Sequence, residues 1–248
     1  MLRSAITAFR TLTILPVPGR DTDTMASSLP WFPIVGLTLG TMLYAITYGV
    51  LSLAPGFPAA AGLAFITTSA WLTRGLHLDG LADCADGFGG GQRDKTRTLA
   101  IMKDPHLGSF GVITLVIVLI LQWSVVTHLA SSDRLPWIVA AVILSRVMMV
   151  DISVTLPYAR ATGGIGGPFV AGARPWHLVI ALVIAAIAIW ALDIGTGQYL
   201  LGLPVAWLLT RLFAIHCRRR VGGVTGDLLG ATSVITETAV LAIGAILP

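Results

Sequence analysis

Seven apolar stretches fall at roughly 31–54, 57–73, 109–130, 136–157, 176–193, 198–216 and 232–247. Each is near the ~20 residues that a helix needs to cross the hydrocarbon core of a bilayer. Only 11% of the residues are charged, where an ordinary soluble domain has about a quarter. The sequence therefore predicts an all-α fold: a polytopic integral-membrane helical bundle of about seven transmembrane helices. No internal repeat or low-complexity tail divides it, so residues 1–248 read as one domain. Residues 1–18 carry Leu2, Ala5, Ile6 and Phe9 at helical spacing beside Arg3 and Arg10. They are expected to form an amphipathic helix on the membrane surface. Arg10 interrupts this first apolar run, which is also too short for a cleavable signal peptide.

The sixteen Lys and Arg orient the bundle. Arg3, Arg10 and Arg20 precede the first span. Arg74, Arg93, Lys95, Arg97 and Lys103 follow the second, Arg160 and Arg174 the fourth, and Arg218, Arg219 and Arg220 the sixth. The opposite connections hold Arg134 alone, and Arg146 and Arg211 fall within spans. By the positive-inside rule the N-terminus is cytoplasmic, and an odd number of spans leaves the C-terminus outside. The expected location is a bacterial cytoplasmic membrane. The net charge of +4 is thus a matter of topology rather than a nucleic-acid footprint. Cys84 and Cys217 are too few for a disulfide framework.

One cytoplasmic segment, 74–108, mixes charge, glycine and apolar residues densely, and Asp79, Asp83, Asp86 and Asp104 lie in it. If Leu78 to Gly87 is helical, Asp79, Asp83 and Asp86 share one narrow face. Three anions on one face repel each other, and a hard cation such as Mg²⁺ relieves that repulsion through carboxylate oxygen. The plain alternative is a solvated acidic face paired with Lys or Arg. The flanking spans, where unpaired charge is costly and functional, favour the metal.

His77 would point away from this face on a continuous helix. It is either a general base for a hydroxyl nucleophile, if the helix starts after it, or a structural histidine. Lys103 and Asp104 read as a phosphate contact and a further metal ligand, or as a surface ion pair. Arg160 and Asp227 lie on two further glycine-rich connections of the same side, Tyr158–Phe169 and Arg218–Ala231. Carboxylates and cations together in a glycine-rich setting suit phosphoryl transfer. Within spans, Arg211 and Glu237 are expected to line the active-site floor or to pair, and Arg146 with Asp151 to tie spans together.

Gly75-Leu76-His77-Leu78-Asp79-Gly80-Leu81-Ala82-Asp83, continuing through Asp86-Gly87, resembles the signature of the cobalamin synthase family. Leu99–Asp104 with Gly108 and Phe110-Gly111, the early Leu15–Pro18 with Phe32-Pro33, and Gly222–Asp227 through Glu237 resemble its other blocks, in order. Cys84 and Arg74 depart from that pattern without touching the chemistry. The resemblance implies a Mg²⁺-dependent membrane transferase acting on adenosylcobinamide-GDP and α-ribazole or its 5′-phosphate. GMP would leave, and adenosylcobalamin or its 5′-phosphate would form. It implies Asp79, Asp83 and Asp86 as metal ligands, with Asp104 and Asp227 as further candidates, Asp83, His77 and Asp86 as the catalytic set, and Lys103 and Arg93 at phosphate. Arg160, Asp227 and Glu237 complete the expected substrate contacts. The expected partners are the two substrates and the lipid bilayer, with a second copy or other corrinoid-assembly enzymes as further ones.

Two rivals remain at this stage. A CDP-alcohol phosphotransferase also uses aspartates on membrane helices, but Ala82 is not followed by Arg and no Asp lies four residues after Asp86. A secondary transporter would be expected to show repeats and midplane charge.

Overall fold

A computed structural model describes residues 1–193 and 198–247. Eleven α-helices occur among the described residues: α1 (Leu2–Leu12), α2 (Phe32–Leu53), α3 (Pro58–Leu72), α4 (Leu76–Gly90), α5 (Lys95–Ile101), α6 (Ser109–Ser131), α7 (Trp137–Thr155), α8 (Gly167–Ala171), α9 (Pro175–Asp193), α10 (Gly202–Val221) and α11 (Gly226–Ile246). Among the described residues, six helical segments are long and apolar enough to cross a membrane. α3, the expected second span, has 15 residues, or about 22 Å at 1.5 Å per residue. The connection between the fifth and sixth spans, 194–197, lies outside the described residues.

α7 is the centre of the bundle. Every residue from Trp137 to Ser153 is buried, as expected of a helix that is apolar all round. α2, α9, α10 and α11 pack on it. α2 approaches through Gly36 and Gly40, where an added Cβ would lie 2.9 Å from the backbone of Val142 and Ile143 and from that of Val139. Small residues four apart let membrane helices come this close. The outer faces of α6, α9 and α10 present Ile117, Ile120, Ile187, Trp190, Leu208 and Leu212 outward, which suits contact with lipid.

Two expected boundaries move. α10 runs on to Val221, so Arg218–Arg220 form its last turn rather than a loop, where cations suit the helix C-terminus. Gly222 caps it at φ +81, a left-handed conformation open to glycine. α11 begins at Gly226 and not near 232, because Thr225 caps it by accepting the Leu228 N–H at 3.3 Å. Its glycines serve helix contact instead of a turn. A Cβ on Gly230 would lie 3.3 Å from the His77 Cα, and one on Gly80 would lie 2.6 Å from the Asp227 carbonyl oxygen. α4 and α11 therefore cross at very short range.

The intramembrane ions exchange the partners expected of them. Arg146 pairs with Glu237 at 3.1 Å, and Arg211 pairs with Asp151. Arg146 also donates to Ser145 and Ser233. Sequence distance favoured Arg146 with Asp151, but helical periodicity puts the two on different sides of α7, facing α11 and α10.

Candidate active site

The close crossing of α4 and α11 assembles the site. Asp79 and Asp83 lie on α4 one turn apart, and Asp227 is the second residue of α11. Asp83 interacts electrostatically with Asp79, Asp227 and Asp86. Its carboxyl is pushed up from the ordinary 3.8 to about 7, first by burial and then by these neighbouring anions, with Arg160 opposing. Arg160 donates to Asp227 at 2.7 Å, and Asp227 also accepts from Thr225 at 3.2 Å. The Arg160 loop is locked to the turn before α11. Ala159 donates to the Val224 carbonyl and Val224 to the Pro157 carbonyl, both at 2.9 Å. The two glycine-rich connections expected on one side are thus in direct contact.

A cleft of about 250 Å³ opens beside this cluster, and His77, Asp79, Arg160 and Asp227 line it. α4 starts at Leu76, so His77 lies within its first turn and is buried. Neither ring nitrogen has a hydrogen-bond partner among the described residues. Burial first, and the Arg146 charge second, hold its imidazole well below the ordinary histidine range. Behind His77 lies a polar chamber of about 20 Å³ lined by Arg146, Ser233, Glu237 and Gln122, room for a single water. Glu237 lines this chamber and not the cleft.

Other sequence candidates lie elsewhere. Asp86 is buried, and its two oxygens accept the N–H groups of Gly108 (2.8 Å) and Gly111 (2.9 Å) at the start of α6. It satisfies donors that a helix N-terminus leaves open. Asp104 is exposed and bound to His106 at 2.6 Å. Hydrogen bonds from His106 hold its carboxyl below the ordinary value. Lys103 and Arg93 are exposed and make no ion pair among the described residues. Arg160 reaches the Met102 carbonyl at 3.5 Å, so the turn carrying Lys103 adjoins the cluster. Arg220 donates to the Phe88 carbonyl at 2.6 Å and ties α10 to α4.

Tyr158 and the apolar cleft residues Met149, Ile165 and Phe169 were not among the expected site residues. The glycine-rich run marks the loop that holds three of them, but in a membrane chain apolar residues look like ordinary span filling. The Tyr158 hydroxyl has its acidity lowered chiefly by burial, and it lies near Arg160 and Asp227.

Asp86→Ala is expected to lower stability by about 3 kcal/mol, from two hydrogen bonds to a charged acceptor. Thermal unfolding in detergent measures it. Unchanged stability with weakened Mg²⁺ binding would return Asp86 to the ligand set.

The family model for cobalamin-5-phosphate synthase matches residues 4–245. An adenosylcobinamide-GDP ribazoletransferase of Chlorobium chlorochromatii is 44% identical over 251 residues, covering 100% of this chain and 97% of its own. Another from Chlorobium phaeobacteroides is 42% identical, covering 99% and 98%. One from Syntrophobacter fumaroxidans is 37% identical, covering 96% and 95%. No solved structure matches.

Proposed function

Since this chain belongs to the cobalamin-5-phosphate synthase family, we propose that the α4–α11 cluster is where it transfers the adenosylcobinamide phosphate group to α-ribazole. The family builds the nucleotide loop of vitamin B12. In the transfer, a ribose hydroxyl of α-ribazole forms a bond to the phosphorus next to cobinamide. The bond from that phosphorus to GMP breaks, and the hydroxyl proton leaves. The observation that carries this reading is that Asp79, Arg160 and Asp227 line one cleft, with Asp83 in electrostatic contact with both aspartates.

The donor set fits Mg²⁺. Among the described residues no three His, Cys, Asp or Glu form a ready-made metal cage. Mg²⁺ typically takes one or two carboxylates and completes its shell with substrate phosphate and water. Asp83 lies in electrostatic contact with Asp79, Asp227 and Asp86, an anion cluster that such an ion would balance. Asp79 and Asp83 would hold it. When bound, the ion would neutralise charge on the pyrophosphate and on departing GMP.

The chain's own groups do the rest. Arg160, fixed by Asp227, places a cation at the phosphate side of the cleft. His77 is neutral near pH 7, because its imidazole sits well below the ordinary range. Both of its ring nitrogens are buried, and α4 begins before it rather than after, so His77 is a structural histidine behind the cleft and not the general base. Lys103, on the adjoining turn, is a further phosphate contact. The distribution of Lys and Arg supports a cytoplasmic membrane location with this cleft on the cytoplasmic side.

The test is transfer in membranes carrying the chain, supplied with adenosylcobinamide-GDP and α-ribazole. GMP and corrinoid product are expected with Mg²⁺, are lost with EDTA, and return when Mg²⁺ is restored. Product formation unaffected by EDTA would remove the metal from this reading and leave the transfer.

A further inference from the structure

The cleft has a second character that the transfer chemistry does not use. Its polar groups come from α4, the Arg160 loop and the start of α11. Its apolar wall comes from other elements: Leu12 at the end of α1, Phe32 at the start of α2, Met149 on α7 and Phe169 on α8. Phe32 and Phe169 stand with ring centroids 6.0 Å apart and planes tilted by 56°. At the mouth sits Ile165, 77% exposed, on a loop turned by Gly163 and Gly164 at φ +75 and +91. An exposed isoleucine beside an ion cluster leaves apolar surface open to whatever enters the cleft.

We propose that this wall is the subsite for the flat benzimidazole base of α-ribazole, which Ile165 covers and Phe169 backs. The proposal rests on the reading of the cleft as the transfer site and assigns its occupant. Three features select this part of the substrates. The volume, about 250 Å³, suits a small bicyclic base with its sugar, whereas a corrin ring with its amide side chains is several times larger. The wall residues Leu12, Phe32, Met149 and Phe169 offer no side-chain hydrogen bonds. The amide and amino edge of guanine would be left unpaired there, a poor fit, whereas a benzimidazole carries carbon edges and little to satisfy. The base would also lie next to the ions, so its attached ribose would reach the Asp79, Arg160 and Asp227 side of the same cleft.

Aromatic and aliphatic walls discriminate bases by size and shape, and a few carbon atoms of contact are worth about tenfold to a hundredfold in such pockets. Ile165 and Phe169 should therefore determine which acceptor bases are accepted. They would leave the donor's binding alone.

The test is steady-state kinetics of the full chain in lipid vesicles, varying each substrate in turn. Ile165→Ala, at an exposed position where folding is not at stake, is expected to raise the KM for α-ribazole about tenfold. Its KM for adenosylcobinamide-GDP and its kcat should stay within about twofold. Phe169→Ala should do the same more strongly and should narrow the preference for dimethylated over unsubstituted benzimidazole ribosides. A rise in the donor KM instead, or no change in the acceptor KM for Ile165→Ala, overturns the assignment. Asp79→Asn separates the two readings. If it leaves turnover intact while Ile165→Ala raises the acceptor KM, the base subsite stands and the catalytic cluster falls. If it stops turnover while Ile165→Ala changes nothing, the cluster stands and the subsite falls.

Discussion

Asp83→Asn is expected to reduce transfer by about 10²- to 10³-fold, the scale of losing one preorganised electrostatic group in a transfer site. The same variant should be at least as stable as the native chain. Both outcomes come from one fact: Asp83 is half-buried among Asp79, Asp227 and Asp86, and its carboxyl is raised to about 7. A carboxyl raised on folding binds its proton more tightly in the native state than in the unfolded one. Between about pH 4 and pH 7 the native state then holds more protons, and stability falls as pH rises. Metal-free protein in EDTA should show an unfolding midpoint that declines across this window and levels off above pH 7. Asn carries no charge there, so the decline should flatten in Asp83→Asn. A variant that is inactive and also less stable at pH 8 would mean that Asp83 holds the fold together rather than the substrate. A variant that keeps full activity would sink its role in catalysis.

The largest stability effect is expected at Glu237. Its carboxylate and the Arg146 guanidinium are 7% and 3% exposed and lie 3.1 Å apart. Removing one partner of a buried pair strands the other charge, at a cost of about 3–5 kcal/mol. Glu237→Ala should therefore fall by that amount in thermal unfolding in detergent, or fail to accumulate in membranes. Replacing both ions, as Arg146→Met with Glu237→Leu, should recover most of the loss, because two apolar side chains of similar size remove both desolvation costs. Failure of the double replacement to recover would assign the loss to the Ser145 and Ser233 contacts of Arg146.

Much of the site was visible along the chain. The Asp79–Asp83 spacing was enough to put two carboxylates on one helical face, and α4 does so. The same periodicity put Asp86 on that face, yet its oxygens are committed to the first N–H groups of α6. Nothing local to α4 says that another helix begins there. Asp104 shows the reverse case. It sits in a suggestive block, but the next turn supplies its own partner, His106.

Hydropathy was sufficient for the class of fold and for six long apolar helices among the described residues, while the expected second span is the shorter apolar helix α3. Those properties depend on each segment's own transfer free energy between water and lipid, which is a sum over neighbouring residues. The tertiary structure alone decided which carboxylates meet, which intramembrane ions pair, and that a histidine with no hydrogen-bond partner among the described residues stands between the cleft and the buried Arg146–Glu237 pair. Those outcomes depend on how closely helices far apart in the chain approach. Here that approach is set by glycines such as Gly80 and Gly230, whose missing side chains matter only once a second helix lies against them.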